Sequence, residues 1–247
     1  IGCDHSEKYL EGMLYHNGAR DGGNYFDLLN LHSYDHYYGD GVYRNAAWGS
    51  NLGNHMDDGP TFVKKLRFLR ETLNAYDFGN KEIIITETAL LCGSTGDEYY
   101  CQTEAFENTK ANYLAESFAL TLAEGIRTNI WYAVTSTWRG SNLLDDNLNP
   151  LPAYYAFDFA EDTLNNALFK RELSEYSNIK GLEFELNGKK IWMLWSTILD
   201  GNGNVQPVQI TLPSEPSNVY MVTGSELVNF QGTSLLVTAA PLYVEWK

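Results

Sequence analysis

Hydrophobic residues in the N-terminal part of the chain recur at two alternating spacings. From Ser6 to Ala19, Tyr9, Leu10, Met13 and Leu14 share one helical face, and Gly18 supplies a stop. Tyr25–Tyr34 (YFDLLNLHSY) is mostly apolar until His32-Ser33-Tyr34 and predicts a strand. A polar, turn-rich stretch (35–59) follows, with Tyr37, Tyr38, Tyr43 and Trp48 set among glycines. Long loops of this kind are usually functional or disordered, and the aromatics favour function. Pro60 opens a helix with Phe62, Val63, Leu66, Leu69 and Leu73 at helical spacing. Glu82–Leu91 (EIIITETALL) reads as a strand buried on both faces. A long helix from Thr103 to Glu124 carries the stripe Ala111, Leu114, Ala115, Phe118 and Leu122 and ends at Gly125. Ile126–Val134 predicts one more strand, giving way to Thr135-Ser136-Thr137-Trp138. Helix and strand alternate, and each strand turns polar at its C-terminal end, as in consecutive βα units around a parallel sheet.

The pattern changes after about Asn166. Leu182-Glu183-Phe184-Glu185-Leu186 alternates strictly, Asn187-Gly188 is a type I′ hairpin signal, and Ile191–Trp195 is the returning strand. Further short strands are expected over Val208–Leu212, Val219–Val222, Leu235–Thr238 and Leu242–Trp246, with turn residues between them. The expected organisation is an α/β module, residues 1–166, followed by a small antiparallel β-sandwich, residues 167–247.

Composition narrows the class. The 247 residues are 44% hydrophobic, enough for a sizeable core, and no apolar run is long enough for a transmembrane helix. A net charge of −15 argues against nucleic acid and against an anionic membrane surface as partners. The chain starts at Ile1 without Met or a leader, so it is expected to be processed or to be a piece of something longer. Seventeen Tyr and six Trp suit either ordinary packing or stacking on sugars. Cys92 and Cys101 flank a short Gly/Ser-containing loop and are placed for a local disulfide, which favours an oxidising compartment and leaves Cys3 over. No Cys-x-x-Cys occurs, and neither a metal site nor a cofactor is expected.

One residue stands out against this background. In EIIITETALL the carboxylate of Glu87 falls where a hydrophobic strand ends. α/β barrels project catalytic side chains from such ends, and a glutamate there is costly to bury without a role or a partner. The rival reading is a structural glutamate paired with an arginine or capping the next turn.

The succession LLNLHSY, IIITET, NIWYAV and LLDDNLNPLPAYYAF resembles the C-terminal half of clan A glycoside hydrolases, retaining enzymes on a (β/α)8 barrel. The tail, KGLEFELNGKKIWMLWS through PLYVEWK, is similar to the small β-sandwich that several of these families carry after the barrel. The resemblance implies an α/β plus all-β chain: a partial (β/α)8 barrel, helix 5 and strands 6–8, then the sandwich. It implies that Glu87 is the strand-7 nucleophile. His32 and Tyr34 match the His-x-Tyr motif that shapes the sugar subsite, with Tyr34 donating a hydrogen bond to Glu87 and His32 contacting a sugar hydroxyl or orienting a neighbour. Strand 8 brings a Trp to the sugar-binding floor, Trp131 or Trp138, and the NIWY context favours Trp131. Asp145-Asp146 reads as a solvated turn rather than a calcium loop.

Retaining hydrolysis needs a second carboxyl group about 5–5.5 Å from the first. In the family it follows an Asn at the end of strand 4, and no Asn-Glu dipeptide occurs here. A barrel of this type takes about 250 residues, and the sandwich over 167–247 takes about a third of the 247 here, so strands 1–5 are expected to be missing. The expected partners are a carbohydrate substrate and an N-terminal barrel half, in the same polypeptide or a separate chain. The expectation is a secreted glycosidase carrying the nucleophile half of its catalytic pair. A non-catalytic glycan-binding or structural protein that kept the fold is the alternative.

Overall fold

The computed structural model describes residues 6–39, 43–44, 60–135, 138–200, 204–227 and 230–247. Cys3, Trp48, Ser136 and Thr137, all singled out above, lie outside the described residues, as does most of the turn-rich stretch.

Three strands, β1 (Leu28–Tyr37), β3 (Glu82–Cys92) and β4 (Asn129–Trp131), lie parallel and adjacent in that order. The two-residue β2 (Tyr43–Arg44) pairs antiparallel with the outer edge of β1. Helix α1 (Ser6–Tyr15) precedes β1, α2 (Phe62–Ala75) joins β1 to β3, α3 (Glu104–Ala123) joins β3 to β4, and α4 (Pro152–Leu164) follows β4. The Thr103 hydroxyl caps α3 by accepting from the Phe106 N–H. Gly125 adopts φ +70° just past its end, the left-handed stop that glycine allows. Helix α2 buries Phe62, Val63, Leu66, Leu69 and Leu73, the residues its periodicity selects.

Some boundaries move. Gly22–Tyr25 forms a 3-10 turn, so β1 starts at Leu28 and runs on through Tyr37. The strand expected over Ile126–Val134 is confined to Asn129–Trp131, because its backbone hydrogen bonds to β3 reach only from Thr128 to Tyr132.

Alternation in β1 separates the sheet's two faces. Leu29, Leu31, Ser33, Asp35 and Tyr37 are buried, whereas Asn30, His32, Tyr34 and His36 are half-buried. The first set packs with the helices in one continuous core. The second set lies on the opposite, open face, where Leu28, Ile130, Val134 and Trp138 are exposed.

The rest of the chain is antiparallel. Strands β5 (Leu168–Glu172), β6 (Ile179–Leu186), β7 (Lys189–Ser196), β9 (Asn218–Met221) and β11 (Leu242–Trp246) form one sheet in the order β5-β6-β7-β11-β9. Strands β8 (Val208–Thr211) and β10 (Ser234–Val237) form a second. The β6–β7 hairpin turns at Asn187 and Gly188, both at positive φ, as the type I′ turn requires. Alternation in β7 serves two cores: Ile191, Met193 and Trp195 join the core shared with α4, and Trp192 and Leu194 join Ile210, Leu235 and Val237.

Candidate active site

Glu87 reaches the open face through an irregularity in the sheet. Up to Leu31↔Ile85 the strands β1 and β3 pair residue for residue, and the next pair is His32↔Glu87. Thr86 is therefore an extra residue, a bulge. Counting by twos from the buried Ile83 and Ile85 would put Glu87 among the helices. The inserted residue turns it to the face that His32 occupies, the re-aiming that bulges perform. Thr86 itself donates from its hydroxyl to Asn30 Oδ1 at 2.5 Å.

On that face Glu87 has two neighbours from β1. Tyr34 donates its hydroxyl to Glu87 Oε2. His32 Nδ1 lies 3.1 Å from the same oxygen, with side chains 31% and 33% exposed for His32 and Glu87. Two groups on one oxygen fix the carboxylate's orientation, and Oε1 has no hydrogen-bond partner among the described residues. The arrangement is an oriented, accessible carboxylate at a bulge within β3; the strand expected to end near Glu87 runs on to Cys92, because β1 continues to pair with it as far as Tyr37.

The two tryptophans separate by parity. Trp131 pairs with the buried Thr88, so its side chain goes to the covered face. There it packs edge-on against Tyr113 and donates its indole N–H to the Ser141 carbonyl at 2.9 Å. The expectation that favoured Trp131 for the sugar floor thus meets a buried, bonded side chain. Trp138 is 45% exposed and stands edge-on to Tyr34, with ring centroids 5.4 Å apart. Tyr132, which sequence reasoning passed over, completes the group at 5.6 Å from Trp138 and 6.3 Å from Tyr34. Its signal was available, since it follows Trp131 by one residue and so takes the other face.

Beyond Tyr34 the face continues to His36, whose Nδ1 lies 2.9 Å from Arg139 Nη2. Burial, with the guanidinium adding to it, keeps the His36 imidazole below its usual range. A disulfide joins Cys92 and Cys101, whose Cα atoms are 5.6 Å apart. The loop it closes is organised around Glu98, which accepts N–H bonds from Ser94, Thr95 and Gly96. Those bonds hold its carboxyl down at about 2. Asp145 accepts from the N–H groups of Asn147 and Asn149, the turn expected of that segment. Among the described residues no cluster of three metal-ligating side chains occurs, and no helix is long and apolar enough to cross a membrane.

No protein-family model matches the chain, and no curated protein matches it in sequence. Solved structures do match in shape. A family 39 glycoside hydrolase from the gut symbiont Bacteroides cellulosilyticus WH2 superposes with a TM-score of 0.61 at 18% identity, over 95% of this chain and 46% of that one. A GH51 arabinofuranosidase from Xanthomonas axonopodis pv. citri gives 0.61 at 12% identity, over 99% of this chain and 56% of that one. An α-L-arabinofuranosidase from Thermotoga maritima gives 0.54 at 10% identity, over 99% and 56%. The chain shares its fold with these glycoside hydrolases. The chain spans about half the length of the solved structures it matches.

Proposed function

We propose that this chain is the nucleophile-bearing part of a retaining glycoside hydrolase acting on β-linked sugars. The observation that carries the reading is the state of Glu87: oriented through Oε2 by Tyr34 and His32, a third exposed, with the open face in front of it. In this reading β1, β3 and β4 are barrel strands 6, 7 and 8, α1 is helix 5, and residues 167–247 are an appended β-sandwich. The closed disulfide supports a secreted location.

The chemistry follows from two carboxyl groups. Glu87 attacks the anomeric carbon while the second carboxylic acid protonates the departing glycosidic oxygen, leaving a glycosyl-enzyme ester on Glu87. The second group, now a carboxylate, deprotonates a water that attacks the same carbon, and Glu87 is released. Tyr34 and His32 hold the nucleophile in line, and Trp138 with Tyr132 offers aromatic surface to the sugar. The acid/base carboxylate comes from the N-terminal half of the barrel, which also covers the exposed Leu28, Ile130 and Val134.

The decisive experiment is on the full-length protein with aryl β-glycosides. The glycosidase reading expects a covalent Glu87 ester after rapid quenching with a slow-deacylating substrate, identified by peptide mass spectrometry. Turnover with no label on Glu87 removes it from the nucleophile role. Binding of glycans without any turnover supports the non-catalytic alternative.

A further inference from the structure

Three consecutive carbonyls of the segment following β4 are held by two buried side chains. Lys110, fully buried on α3, donates to the carbonyls of Gly140 and Asn142, each at 2.8 Å. The Trp131 indole takes the Ser141 carbonyl between them at 2.9 Å. Burying an ammonium is unfavourable without compensation, and Lys110 has it in Glu107, 2.9 Å away. Burial still keeps its pKa below the usual lysine value. An apolar residue would fill the same space without that cost. What distinguishes lysine here is its grip on the segment.

The segment needs holding. Arg139 and Gly140 both have positive φ, +52° and +72°, and a Cβ on Gly140 would lie 2.6 Å from the Phe106 ring. Immediately ahead of the gripped carbonyls stand Trp138, against Tyr34 and Tyr132, and Arg139, bonded to His36 and to the Cys92 carbonyl. A shift of Gly140 moves both residues relative to Glu87.

We propose that Lys110 is a positioning residue for substrate binding: by holding the Gly140 and Asn142 carbonyls it fixes Trp138 and Arg139 beside the Glu87 site. It touches no sugar itself. The inference rests on the glycosidase reading for its effect on substrate, and on the hydrogen bonds alone for its effect on Trp138.

Lys110→Met in the full-length protein removes the donors at similar length. With an aryl β-glycoside, KM is expected to rise about threefold to tenfold, the scale of one lost aromatic contact, with kcat changed by about twofold or less. Trp138→Ala is expected to act in the same direction, and the double variant to be no worse than Trp138→Ala alone. The indole N–H resonance of Trp138, assigned with Trp138→Phe, is expected to shift in Lys110→Met. If Lys110→Met does not fold, Trp131→Phe removes one of the three bonds and is expected to give a smaller change of the same kind. A lowered melting temperature with unchanged KM and an unmoved Trp138 resonance overturns the proposal. If the unaltered protein turns over no glycoside, the glycosidase reading fails, and the Trp138 resonance decides the positioning claim by itself: unmoved, it overturns it.

Discussion

Glu87 and Glu116 each accept a hydrogen bond from a tyrosine hydroxyl, and they lie on opposite faces of the same sheet. Glu87 is paired with Tyr34 on the open face. Glu116, on α3, is paired with Tyr43 on the helix-covered face. Glu116 is only 3% exposed, and burial pushes its carboxyl up to about 8. Asp35, buried nearby and accepting from the Thr61 N–H, pushes it the same way. Glu87 is a third exposed and has His32 as a second neighbour. A tyrosine–carboxylate pair is therefore no active site in itself. Access to the carboxylate, and the bulge that turns it to the open face, separates a group that can meet a ligand from one that serves the core.

The sharpest test of that distinction exchanges each glutamate for its amide. Glu87→Gln is expected to lower kcat by about 10⁴-fold, the scale of removing a catalytic group, with an unchanged melting temperature. Glu116→Gln is expected to leave steady-state kinetics as they are. Loss of activity in both would erase the contrast.

The next effect is on stability against pH. Folding raises the Glu116 pKa from 4.5 to about 8, so the folded state favours the protonated carboxyl. Its contribution is fully present below about pH 4.5 and is lost as pH rises through about 8. Melting temperatures measured from pH 5 to 9 should decline for the unaltered protein and decline less for Glu116→Gln. Parallel curves would show that Glu116 is not the group responsible.

Replacing Cys92 and Cys101 together by serine should cost about 2–3 kcal/mol in denaturant unfolding, from the closure entropy of a short loop. The loss falls on the open-face rim, since Gly96 in that loop packs against the Arg139 backbone. The smallest pair of effects comes from the hydroxyls. Tyr34→Phe should reduce kcat by about tenfold to a hundredfold, as one bond to a charged group is lost. Tyr43→Phe should instead cost about 1–3 kcal/mol of stability, because it leaves the buried Glu116 without its donor. Kinetics and urea titration on the two variants would separate these outcomes.

Much of this was legible in the residues. The helix over Phe62–Ala75 follows from its apolar spacing, the β6–β7 hairpin from Asn187-Gly188, and β11 was placed to the residue at Leu242–Trp246. Other features were obscured. β4 is short because strand length depends on where a neighbour supplies hydrogen bonds, and apolar residues continue past that point. Trp131 and Trp138 could not be ranked by local context, since only the register with Thr88 shows which face Trp131 takes.

By itself the sequence determined the alternation of helix and strand, the antiparallel tail, the loop between Cys92 and Cys101, and a carboxylate just after the apolar run Ile83–Ile85. These depend on periodicity and turn chemistry, which are local. Only the tertiary structure decided that Glu87 faces outward. Strict alternation sends it towards α3, and the extra residue Thr86 reverses that because β3 must stay in register with β1 on both sides of the bulge. Lys110 likewise belongs to a helical pattern in the sequence. It becomes a clamp on Gly140 and Asn142 only because the chain brings those carbonyls, thirty residues on, to its ammonium group.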